Sequence, residues 1–338
     1  MNRIAIIGAG GWGTALGLVA GRAGHTVRLW SRSAEVVESI NNGRVNAHYL
    51  DGHELTGDVE ATCDAGGALG GAEIVILAAP SHATRELLRR EVRAVPAGAV
   101  VVSATKGVEI ETGRRVSEIV REELGEPAAR RFVCLSGPSF AREVAEGRPT
   151  AIVAASADAG LARRVQSALS FENLRVYTND DVAGTELGGA VKNVIALAAG
   201  MVAGLGLGTN SVAALITRGL AEIVRLATAE GARVETLMGL AGLGDLVLTA
   251  TGPLSRNRRV GEELARGRTL AEITSGMREV AEGVRTTRAV RELAARRNVE
   301  MPITEQVFAV LYEGRGVSHA VEELMARPLK GEFDGVEC

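Results

Sequence analysis

Along its first half the chain alternates short, uninterrupted apolar runs with longer stretches in which apolar residues recur every third or fourth position. The short runs predict strands at Arg3–Gly8, Thr26–Trp30, Val59–Thr62, Glu73–Ala78, Ala99–Ala104, Arg131–Leu135, Ala151–Ala155 and Arg175–Tyr177. Runs such as IVILAA and AVVVSA have no polar alternation, so both faces of those strands expect cover, as in a parallel sheet clothed by helices. That pattern predicts a doubly wound α/β domain. Beyond about Asp180 the strand signals stop. Helical spacing then runs over 182–204, 210–231, 256–266, 284–297, 303–313 and 317–326, broken by glycine-rich turns such as GLGLG and GLAGLGD. The chain therefore divides into an α/β domain over 1–179, an all-helical domain over 180–330 and a polar tail over 331–338.

Composition narrows the function. The net charge of −3 offers no global field for nucleic acid or an anionic membrane, so any anion must be held locally. Cys63, Cys134 and Cys338 form no CxxC pair, which predicts reduced thiols, a cytoplasmic location and no structural zinc. No uninterrupted apolar run is long enough for a transmembrane helix. The N-terminal run MNRIAIIGAGGWGTALG fits a strand, a turn and a helix better than a signal peptide. Lysine is rare: of 38 basic residues only Lys106, Lys192 and Lys330 are lysines. A lysine in this chain is therefore a pointer to chemistry that guanidinium does not supply.

Gly8-Ala9-Gly10-Gly11-Trp12-Gly13 is a G-x-G-x-x-G that directly follows a strand and opens a helix. In that context it predicts a dinucleotide site. Gly8 permits the turn, Gly10 lets backbone approach a pyrophosphate, and Gly13 lets helix pack on strand. NAD-selective sites place an acid at the end of the second strand, but Leu29–Ser33 holds none. Ser31 and Arg32 instead suit a 2′-phosphate, so NADPH is the expected cofactor and NADH an accepted alternative.

Three loops lie at strand carboxyl ends, where doubly wound sheets bind ligands. They carry Pro80-Ser81-His82, Thr105-Lys106-Gly107 and Ser136-Gly137-Pro138-Ser139. Lys106 suits an anionic or polar group, and His82 is an alternative acid or base. In the helical half, Gly188, Gly189, Lys192, Ala196 and Ala199 share roughly one side of a helix. This strip of small residues would let another backbone or a ligand approach. A desolvated amine there would move towards neutrality and could accept a proton. Spacing alone equally allows Lys192 to reach solvent or to pair with Glu186 or Asp245. Asp245 could orient Lys192, bind a substrate hydroxyl or cap a helix. Ser255 fits an N-cap. That helix N-terminus, Arg256 and the Asn257 amide would suit a phosphate, while Arg258 and Arg259 would pair with Glu262 and Glu263 one turn on.

The motifs SATKGVE, SGPSFARE, ELGGAVKNVIALAAGM, LITRGLAE, GLAGLGDLVLT, SRNRR and MPITE closely resemble those of the bacterial NAD(P)-dependent sn-glycerol-3-phosphate dehydrogenases. The resemblance runs from the glycine loop to about Arg327. It implies a Rossmann-type domain joined to a helical substrate domain. It also implies reversible reduction of dihydroxyacetone phosphate to sn-glycerol 3-phosphate, which supplies glycerophospholipid synthesis. By the same resemblance Lys192 is the proton donor and acceptor. Lys106, Gly137, Ser139, Asp245, Ser255, Arg256 and Asn257 match substrate positions. Gly11, Trp12, Arg32, Lys106, Ala141, Arg256, Val280 and Glu282 match dinucleotide positions. Gly11 departs from the serine of many relatives, which removes one hydroxyl from the pyrophosphate. The resemblance calls for no metal and no nucleic acid, and a homodimer is compatible with it. Two other readings remain open on the residues: a 3-hydroxy acid or 6-phosphogluconate type of dehydrogenase, and a non-catalytic dinucleotide sensor. The sensor would have no need of Lys106, Lys192, Asp245 and Arg256 together.

Overall fold

The computed structural model describes residues 1–275, 277, 281–329 and 331–332. Val280, Lys330 and residues 333–338, with Cys338, lie outside the described residues. The chain forms two compact units. One comprises Met1–Lys106 with Val116–Val182; the other comprises Gly107–Arg115 with the chain from Ala183 onward.

The first unit is built on ten strands: β1 (Arg3–Ile7), β2 (Thr26–Trp30), β3 (Val45–Asn46), β4 (Leu50–Glu54), β5 (Val59–Thr62), β6 (Ile74–Leu77), β7 (Val100–Ser103), β8 (Phe132–Ser136), β9 (Thr150–Ala155) and β10 (Leu174–Asn179). Eight form one sheet in the order β10-β9-β8-β7-β6-β1-β2-β5. From β8 to β5 the neighbours are parallel, whereas β8 and β9 are antiparallel. The expectation of a parallel sheet is thus corrected at one edge, where β9 and β10 run against the rest. The apolar runs behave as their pattern predicts: Ile74–Leu77 and Val100–Val102 are fully buried.

A two-stranded antiparallel hairpin, β3–β4, has no counterpart among the predicted strands. Its sequence is short and polar, and it shows no alternation.

The second unit is helical. Its centre is the 23-residue helix Val182–Gly204, apolar enough by length and composition to cross a membrane, yet 89% of its most apolar window is buried within the protein. Glycines decide how it packs. A Cβ on Gly200 would strike the Arg258 carbonyl oxygen, and one on Gly261 would strike that of Leu197. A Cβ on Gly204 would lie 2.8 Å from the Glu262 oxygen. The helices Val182–Gly204 and Arg256–Ala265 therefore cross backbone to backbone, an approach that only glycine permits. Three shorter helices were not expected from periodicity: Val234–Met238, Asp245–Thr251 and Leu270–Ser275.

Candidate active site

In the first unit the functional candidates gather where parallel strands end. Gly8 sits at φ +118°, and a Cβ there would come within 2.9 Å of the Ala78 carbonyl. A Cβ on Gly13 would collide with the Gly8 oxygen. The N–H groups of Gly8 and Ala9 both donate to the Trp30 carbonyl at 3.1 Å, so the loop is tied to the end of β2. Helix Gly11–Arg22 follows with Gly10 as its N-cap and no side-chain cap. This is a cradle that side chains would fill, opening on free helix N–H groups, and it fits a dinucleotide pyrophosphate.

Gly11 is confined too: a Cβ there would lie 3.3 Å from the Tyr49 oxygen and 3.8 Å from the Ala141 Cβ, so Ala141 flanks the loop. Trp12 is partly buried, and its Nε1 has no partner. Arg32 is exposed beyond β2. The Ser31 hydroxyl accepts from the Ser33 N–H at 3.2 Å and supports the turn, which leaves its O–H to donate.

After β7 and β8, two neighbouring strands, Lys106 and the Ser136–Ser139 loop meet. Lys106 Nζ donates to the Gly137 carbonyl at 2.8 Å and lies 3.5 Å from Ser139 Oγ. Ser139 Oγ donates to the same carbonyl at 2.9 Å. Gly137 needs its φ of +132°, and a Cβ would lie 2.9 Å from Ile152 Cα. The loop thus holds an ammonium and a hydroxyl side by side. His82 is exposed on the single turn Ser81–Ala83.

In the helical unit Lys192 is 5% exposed and Asp245 is 0% exposed. Their side chains form an ion pair, and Lys192 Nζ also donates to Thr249 Oγ1 at 2.8 Å. Thr249 Oγ1 in turn donates to the Asp245 carbonyl at 2.7 Å, which turns a lone pair towards the lysine. The partner of Lys192 is therefore Asp245. Glu186 instead lies 3.5 Å from Arg115.

Local backbone brings Asp245 into place. Leu240–Gly244 makes one wide helical turn, with the Gly244 N–H donating to the Gly239 carbonyl at 3.0 Å. Such turns recur at functional sites. A Cβ on Gly188 would lie 2.8 Å from the Ala241 oxygen, so this glycine lets the turn press on the lysine helix one turn before Lys192. Of the two guests the small-residue strip allowed, the one seen here is another stretch of backbone.

Ser255 caps helix Arg256–Ala265 by accepting from the Arg258 N–H at 3.2 Å. Arg256 is exposed at its first position. Asn257, expected to help hold a phosphate, also has a structural task. It is buried, donates Nδ2 to Asn193 Oδ1 at 2.9 Å and accepts from the Gly283 N–H at 2.9 Å. Its amide joins three helices, leaving a second Nδ2 hydrogen and its backbone N–H for other work. Gly283 follows Glu282, the half-buried first residue of helix Glu282–Arg297. Arg258 pairs with Glu262 at 2.9 Å as expected. Arg259 does not take Glu263, which is held by Arg266 at 2.6 Å and Arg268 at 2.8 Å.

Sequence reading missed Thr249, Asn193 and Asn46. Thr249 had a signal, being one helical turn beyond Asp245. Among the described residues no cluster of His, Cys, Asp and Glu could hold a metal ion.

Comparison with known proteins agrees along the whole chain. Residues 3–162 match the family model for the NAD-dependent glycerol-3-phosphate dehydrogenase N-terminus, and residues 181–322 match that for its C-terminus. A glycerol-3-phosphate dehydrogenase [NAD(P)+] of Koribacter versatilis is 56% identical over 330 residues, covering 97% of this chain and 98% of the relative. One from Nitratidesulfovibrio vulgaris is 52% identical, covering 98% and 100%. The crystal structure of a glycerol-3-phosphate dehydrogenase from Coxiella burnetii is 41% identical and superposes with a TM-score of 0.92, covering 96% and 99%. With both halves of the family matched and a buried lysine–aspartate pair at its helical centre, the chain belongs to the NAD-dependent glycerol-3-phosphate dehydrogenase family.

Proposed function

We propose that this protein reduces dihydroxyacetone phosphate to sn-glycerol 3-phosphate, reversibly, with NADPH as its main cofactor and NADH also accepted. The observation that carries the reading is the buried Lys192–Asp245–Thr249 cluster in a chain of this family. The reduced dinucleotide, when bound, supplies a hydride to the C2 carbonyl carbon. Lys192, as the ammonium, donates a proton to the oxygen at C2 and stabilises the negative charge that develops there. Asp245 and Thr249 hold its nitrogen in place while the proton leaves. In the oxidative direction the neutral amine takes the hydroxyl proton.

Lys106 and Ser139 offer a cation and a hydroxyl to the substrate's polar groups. Arg256 and the Ser255-capped helix N-terminus offer a phosphate its anchor. Val280 and Glu282 enter the reading as dinucleotide positions by family resemblance. An exposed Arg32 with no acid at the end of β2 supports the NADPH preference. A cytoplasmic location, a role in supplying glycerophospholipid synthesis and a homodimer belong to the same reading.

The test is loss of NADPH absorbance with dihydroxyacetone phosphate, compared with dihydroxyacetone and with 2-keto acids. Turnover of the phosphorylated ketone far above that of the others is expected. Arg256→Ala should raise KM for that substrate most. Equal losses on the non-phosphorylated ketone would contradict the anchoring role.

A further inference from the structure

The hairpin β3–β4 stands apart from the main sheet, and no step of the reaction gives it a task. Yet its Asn46 is fully buried, although an amide is costly to bury unless its hydrogen bonds are met. Here they are met. Nδ2 donates to the Ala9 carbonyl at 2.8 Å and to Thr14 Oγ1 at 2.8 Å, and Oδ1 accepts from the Tyr49 N–H at 3.3 Å. The Ala9 carbonyl can only accept, which fixes the amide's orientation. Thr14 Oγ1 lies 3.5 Å from the same carbonyl and leans on it as well. A side chain 37 residues downstream thus grips the peptide between Ala9 and Gly10 in the glycine loop.

That peptide is where the loop's function is decided. A phosphate-binding loop works by presenting N–H groups, and an outward carbonyl would repel a pyrophosphate. In a trans peptide the C=O and N–H point opposite ways, and no peptide among the described residues is cis. Drawing the Ala9 oxygen onto the buried amide therefore turns the Gly10 N–H away from the core. The loop needs such a grip, because Gly8, Gly10, Gly11 and Gly13 leave its backbone unusually free. The hairpin is itself anchored, since Ser39 Oγ donates to the Val45 carbonyl at 2.7 Å and accepts from the Ala47 N–H at 3.2 Å.

We propose that Asn46 is a positioning residue for the dinucleotide: its amide, backed by Thr14, sets the Ala9–Gly10 peptide so that the loop offers N–H groups to the pyrophosphate. The inference rests on the dinucleotide-binding reading of the loop.

The experiment is NADPH binding without substrate, by fluorescence titration, for the wild type, Asn46→Ala, Thr14→Val and Thr14→Ser. Steady-state kinetics on dihydroxyacetone phosphate run in parallel. Losing the grip and leaving the Ala9 oxygen buried should raise the NADPH Kd roughly tenfold or more in Asn46→Ala. Thr14→Val should raise it less, and Thr14→Ser should restore it. KM for dihydroxyacetone phosphate and kcat at saturating NADPH should move far less than Kd. A folded Asn46→Ala with the wild-type Kd overturns the proposal. So does an equal loss in Kd, KM and kcat, which marks general structural damage. Should Asn46→Ala fail to fold, the threonine pair decides, and an unchanged Kd in Thr14→Val is then the refuting result. No saturable NADPH binding by the wild type would overturn the cofactor reading, and this proposal with it.

Discussion

Glu222 gives the sharpest stability prediction. It sits on helix Gly208–Ala229, is 1% exposed, and caps another helix in trans. Helix Pro302–Tyr312 starts at an N-cap, Met301, that offers no side-chain cap. Glu222 serves instead, accepting from the Ile303 N–H at 2.5 Å, the Thr304 N–H at 3.2 Å and the Thr304 hydroxyl at 3.0 Å. Burial pushes the carboxyl from 4.5 up to about 7; these hydrogen bonds and the nearby Arg225 lower it only in part. Between those values the folded protein keeps a proton that the unfolded chain has lost, so stability falls as pH rises. The contribution is full below 4.5 and gone above about 7. At about 1.4 kcal/mol per pKa unit the whole change is about 3 kcal/mol, most of it between about pH 5 and pH 8. Glu222→Gln keeps an acceptor for the helix and removes the titration. Its unfolding free energy relative to wild type should therefore rise by between about 2 and 3 kcal/mol from about pH 5 to pH 8. Urea unfolding followed by far-ultraviolet circular dichroism is the assay, because both tryptophans, Trp12 and Trp30, lie in the other unit. A difference that stays flat across that range, or shrinks as pH rises, would refute the reasoning.

Two further substitutions test the helical unit, and a third, in the first unit, serves as a control. Gly261→Ala drives a Cβ into the Leu197 carbonyl and to 2.8 Å from the Met201 nitrogen, where only backbone could give way. It should cost roughly 1–3 kcal/mol or more, read as a lowered melting temperature. Gly43→Ala, with nothing within 4 Å, should be neutral or mildly stabilising in the same measurement. Asp245→Asn removes the carboxylate from a buried ion pair, so about 3–5 kcal/mol of stability should go. Turnover should fall with it, and a melting curve like the wild type's would contradict the pairing.

Much of the architecture is legible because burial on both faces leaves an unmistakable apolar run, as in Ile74–Leu77. The direction of β9 and β10 is not, since an apolar run carries no arrow. Lys192 stands out through scarcity and its small neighbours, but its charge partner needed the wide turn at Leu240–Gly244, which no periodicity announces. Asn257 has a task that its place beside an arginine cluster does not announce: its amide also ties together two other helices. Asn46 and Glu222 are legible only in three dimensions. Each is a polar side chain with key partners far along the chain, and nothing nearby in sequence marks it as buried.

Lys192 is the residue on which the proposed reaction depends. The direct measurement pairs dihydroxyacetone phosphate-dependent NADPH oxidation with NADPH titration in Lys192→Met, after circular dichroism shows the variant folded. Loss of a general acid that also stabilises developing charge predicts a fall in kcat of about a thousandfold or more. The NADPH Kd should stay within about twofold, because loss of a proton donor need not weaken cofactor binding. A folded Lys192→Met protein that keeps kcat within about tenfold of wild type would contradict the central claim, since removing a general acid costs at least a hundredfold.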